Sequence, residues 1–154
     1  MNASTIIFYA SIVGVMFGMR SYKPFDNKNQ NKKTLKESLP WFGLLGILSA
    51  FRHIVFSGGL GKKYGGIWGQ QGPLFEYEAG VANLAFGVLC FRAMEGSVRE
   101  QQAAILGYAI YLFGSMIVHI YTLSIDRTSF GQRIGTIVGF FLTTAIMFQI
   151  SLGS

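Results

Sequence analysis

Five long apolar runs, at about residues 4–19, 40–57, 74–93, 103–124 and 134–152, set the limits on what this chain can become. Each approaches the roughly 20 residues a helix needs to cross about 30 Å of hydrocarbon, the first two being the shortest. Inside lipid the backbone must satisfy its own hydrogen bonds within a helix or a closed barrel, and runs this long do not alternate with period two. The sequence therefore predicts an all-α fold: a single transmembrane domain over residues 1–154, an integral membrane helical bundle of about five transmembrane helices. Composition agrees. Only 13% of residues are charged, against about 25% in soluble domains, and the mean hydropathy is +0.40.

The formal charge of +6 does not point to nucleic acid, which needs a basic face on a water-soluble module. Six of the 13 Lys and Arg lie between Arg20 and Lys36, in a basic loop at 20–37 that the positive-inside rule assigns to the cytoplasm. Arg20, Lys23, Lys28, Lys32, Lys33, Lys36, Arg92 and Arg99 stand on one side of the bundle, against Lys62, Lys63, Arg127 and Arg133 on the other. Eight against four puts the N-terminus outside and the C-terminus in the cytoplasm of a prokaryotic inner membrane. No basic residue precedes the first run and no small-residue cleavage site follows it, so it is expected to be a retained span.

The connections read as polar. Residues 57–73 hold seven glycines with Trp68 among them, which suggests an interfacial loop with the indole at headgroup level. Its GGLGKKYGG lacks the GK[ST] of a phosphate-binding loop. Gly14 and Gly18, and again Gly135 and Gly139, form GxxxG pairs that allow close helix contact. Cys90 is the only cysteine, so neither an intrachain disulfide nor a Cys/His metal motif exists.

Ionisable groups inside hydrocarbon are costly and mark candidate sites. Arg52 and His53 sit near the end of the second run, Glu76 and Glu78 near the start of the third, and His119 near the end of the fourth. In the predicted topology these positions share the outer side, and His53, Glu78 and His119 come about 6 to 8 Å inside the boundary at 1.5 Å per residue. Gly46, Ser49, His53 and Ser57 form one stripe, and Tyr108, Tyr111, Ser115, His119 and Thr122 another. On the third helix the stripe is Glu76, Gly80, Asn83 and Gly87, with Glu78 about 200° from Glu76. Phase alone nominates Glu76.

These residues also carry a resemblance. Arg52-His53-Ile-Val-Phe56, then Phe75-Glu-Tyr-Glu78 with Ala82-Asn83-Leu84, then Val118-His119-Ile-Tyr121, resemble a family of small, functionally uncharacterised prokaryotic multi-span membrane proteins. That family has the pattern Gly-His, Phe-x-x-Glu, Ala-Asn-Leu and Gly-His-Ile-Tyr. The resemblance places His53, Glu78, Asn83 and His119 on the family's polar positions and moves the choice of carboxylate to Glu78. Arg52 and Val118 depart from it by replacing glycines. No activity is implied.

Two functional readings follow. The sequence favours, narrowly, an accessory or self-associating subunit without catalysis of its own, in contact with the bilayer and with its own copies or other membrane subunits. Its polar stripes would then be interhelical hydrogen bonds. The alternative is a metal- or small-ligand-binding protein, an enzyme or transporter among the options, built on Arg52, His53, Glu76, Glu78, Asn83 and His119. A metal would fall to His53, Glu78 and His119, although no motif specifies one.

Overall fold

The computed structural model describes residues 28–59, 72–125 and 130–153. Within them lie four helices: α1 (Lys28–Phe51), α2 (Gly72–Ala93), α3 (Val98–Ile125) and α4 (Phe130–Leu152), with a π-helical segment, Arg52–Gly59, continuing α1. Three stretches are long and apolar enough to cross a membrane: Lys32–Val55, Val98–Ser124 and Ile134–Leu152. The fifth helix of the sequence reading, at 4–19, falls outside the described residues, as do Gly14, Gly18 and Trp68. Four helices, three with the character of spans, is thus the observed count there. α2 is long enough but carries Glu76, Glu78, Asn83 and Arg92, and these polar residues dilute its apolar character. It is the helix that most needs protein neighbours rather than lipid.

Helix ends extend past the apolar runs. α1 starts at Lys28, so the second half of the expected basic loop is helical, and Pro40 lies inside the helix rather than at its start. Pro40 has no N–H to give the Lys36 carbonyl. Lys32, Lys33 and Lys36 remain exposed while Leu35, Ser38 and Leu39 turn inward. The connection between the third and fourth apolar runs is short because Ser97 and Glu100 begin α3 with a reciprocal cap. The Ser97 N–H donates to Glu100 Oε2 at 2.6 Å and the Glu100 N–H to Ser97 Oγ at 3.4 Å. Ser-x-x-Glu satisfies two of the donors that a helix start leaves open.

α1 packs along α2 and α3 along α4, and the two pairs meet over a smaller area, with no close backbone approach between α2 and α4 among the described residues. Glycine sets the first contact. A Cβ on Gly46 would lie 2.7 Å from the Gly87 Cα, and one on Gly87 would lie 2.9 Å from the Gly43 carbonyl oxygen. Only hydrogen fits where the two backbones cross.

The fully buried core occupies one half of the bundle. Leu35, Leu39 and Phe42 of α1, Cys90 of α2, Ile105 and Tyr108 of α3, and Met147 and Ile150 of α4 close around one another there. They come from the start of α1 and α3 and the end of α2 and α4, the half that the lysine count assigns to the cytoplasmic side. Val81, Val88, Ile110, Ile117, Val138 and Phe141 point outward, each about half exposed. In water such a belt would be costly; against lipid tails it is the expected exterior.

Candidate functional site

Toward the other end of the bundle the helix pairs spread around a cavity of about 450 Å³. Its upper level is charged. Arg52, His53, Glu78 and His119 all line it, while Ser49, Asn83, Tyr111 and Ser115 line the level below, with Ala79, Ala82, Val118 and Phe140 supplying apolar wall.

Each group is held by a local feature of sequence. Arg52 and His53 open the π-helical segment, where i→i+5 hydrogen bonding widens the turn, a winding frequent at functional sites. Both consecutive side chains line the cavity. His53 Nδ1 lies 2.5 Å from Glu76 Oε2, with the imidazole 19% and the carboxylate 30% exposed. A short contact between groups that can both carry charge is how a membrane helix accommodates them.

The carboxylate that meets His53 is Glu76, the one helical phase nominates, while Glu78, the one the resemblance favours, lines the cavity. Glu76, Gly80, Asn83 and Gly87 recur every three or four residues on one stripe: Glu76 and Gly80 meet the π segment and Gly87 meets α1, while the Asn83 side chain reaches α3. A Cβ on Gly80 would lie 3.3 Å from the His53 Cβ, which shows how closely the π segment rides over α2. Glu78 is exposed, yet it borders the cavity. It makes no hydrogen bond or ion pair with any described residue.

Asn83 closes the floor. Its Nδ2 donates to the Ala79 carbonyl at 2.8 Å and to Tyr111 Oη at 3.1 Å, and its Oδ1 accepts from Tyr108 Oη at 3.0 Å. Tyr111 Oη donates in turn to the Ala79 carbonyl at 3.2 Å. Phe86 stacks on Tyr108 with ring centroids 5.3 Å apart, leaving the polar tips together and the rings in an apolar layer. The stripe of Tyr108, Tyr111, Ser115, His119 and Thr122 does face inward, as its spacing predicts. Ser115 and Thr122 return their hydroxyls to the Tyr111 and Val118 carbonyls of α3.

His119 sits across the cavity with its ring 5.5 Å from that of Phe140 on α4. Among the described residues no three His, Cys, Asp or Glu side chains come together as a set able to hold a metal ion. The expected trio of His53, Glu78 and His119 is therefore not such a set: the nearest carboxylate to His53 is Glu76, and His119 packs against an aromatic ring. Phe140 and Gly114 were not among the candidates. Gly114 lies one residue off the α3 stripe and Phe140 on a helix with no ionisable group past Arg133, so neither stands out before the helices are packed.

A family model matches residues 1–152. The chain belongs to DUF6790, a family of unknown function. No curated protein and no solved structure matches it. The chemistry of the cavity is therefore the basis for reading its role.

Proposed function

We propose that this chain is a multi-pass protein of a prokaryotic inner membrane, with its N-terminus outside, that holds a small ligand in the cavity of the outer half. The observation that carries the reading is the cavity itself. About 450 Å³ lies within the range of small-molecule sites, which combine apolar walls with a few convergent polar groups. The subunit reading accounts for only part of this arrangement. The Tyr108–Asn83–Tyr111 network satisfies itself and is what interhelical packing alone would require. The level above it brings Arg52, His53, Glu78 and His119 to the wall of one open volume, and ionisable groups that converge inside a membrane domain mark a candidate site. The apolar belt outside would meet lipid tails or a neighbouring subunit.

The test is native mass spectrometry of protein extracted directly into lipid nanodiscs, comparing the wild type with Ser115→Phe, which fills the cavity from α3. A small molecule bound to the wild type and missing from a variant of the same oligomeric state is the expected result. Masses differing by the substitution alone would remove the ligand reading and leave the subunit reading in its place.

A further inference from the structure

The mouth of the cavity can be located from exposure. Of the lining residues, Glu78 on α2 and Ile110 and Gly114 on α3 are exposed, so the opening lies on the flank between these helices. Their exposed neighbours are Val81, Phe113 and Ile117. An apolar flank of this kind, set in a membrane, suits hydrocarbon, and a molecule dissolved in lipid would reach the mouth from there. Gly114 leaves the way open: a Cβ there would meet nothing within 4 Å.

Charge then selects the head group. Glu76 is engaged by His53 at 2.5 Å. Glu78 is outside that arrangement. Its side chain is exposed at the mouth and makes no hydrogen bond or ion pair with any described residue. The rings of Tyr111 and Phe140 line the wall behind it, and aromatic faces attract cations.

Resting on the cavity reading above, we propose that the ligand is a membrane-dissolved amphiphile with an ammonium head group, which enters sideways beside Gly114 and is held at Glu78. The tail remains in the apolar mouth or the bilayer, and the head replaces bulk water as the partner of the carboxylate.

The experiment measures binding of radiolabelled decylamine, decanoate and decanol, identical in chain and different in head, to the full chain in nanodiscs at neutral pH. Decylamine should bind saturably at about one per chain and at least tenfold more tightly than the other two. Glu78→Gln, which removes charge from a side chain with no hydrogen-bond or ion-pair partner among the described residues, should weaken it at least tenfold. Gly114→Leu should block it while the fold survives, since leucine favours the helix and occupies open space. Equal binding of decanoate or decanol, or an unchanged Glu78→Gln, overturns the ammonium head; if Ser115→Phe still abolishes that binding, the cavity reading stands. An unchanged Gly114→Leu overturns the lateral entry. Absence of saturable binding by all three probes overturns this proposal, and only bare masses in the nanodisc spectra would remove the cavity reading with it.

Discussion

Glu76 and Glu78 are two residues apart and have opposite circumstances. Glu76 meets His53 and is mostly covered, whereas Glu78 is exposed and makes no hydrogen bond or ion pair with any described residue. Replacing the first should cost stability and replacing the second should not. Glu76→Gln is expected to destabilise the bundle by about 1–3 kcal/mol, because it leaves the imidazole without its charged partner. Glu78→Gln should stay within about 0.5 kcal/mol. Thermal unfolding in one detergent reads both, and equal losses would contradict the assigned pairing. Tyr108→Phe deprives Asn83 Oδ1 of its donor and should cost about 1 kcal/mol, the modest value typical of hydrogen bonds between membrane helices.

Among elements, the α1–α2 crossing depends on glycine. Gly46→Val would push a branched side chain into the Gly87 backbone, which already lies 2.7 Å from an added Cβ. Overpacking of this kind costs about 1–3 kcal/mol. It should also disturb the His53–Glu76 contact, because the same two elements carry it. Gly114→Ala on α3 is the contrast: with open space beside it, it should hold or raise the melting temperature, gaining up to about 1 kcal/mol of helix propensity. At the start of the same helix, Ser97→Ala removes the capping hydroxyl and should cost about 1 kcal/mol, read as a lower melting temperature.

For the whole molecule, the dense half and the open half lie at opposite ends, and the lysines of α1 with the α2–α3 turn mark the dense end. In a Cys90→Ala background, a membrane-impermeant maleimide applied to intact cells should label Ser124→Cys and spare Glu95→Cys, both being exposed positions; the reverse pattern would invert the proposed orientation. The membrane class, the helical form and the inward stripes of α1, α2 and α3 were determined by sequence alone, because burial in lipid leaves the backbone one way to satisfy itself and a helix repeats every 3.6 residues. Helical phase also singled out Glu76. Tertiary structure decided the rest. Which carboxylate meets His53, where α1 changes winding, how closely Gly46 approaches Gly87, and that Gly114 borders a mouth all depend on distances between helices. Those distances arise from side chains packing across elements far apart in the chain, and one helix's periodicity carries no record of its neighbour's position.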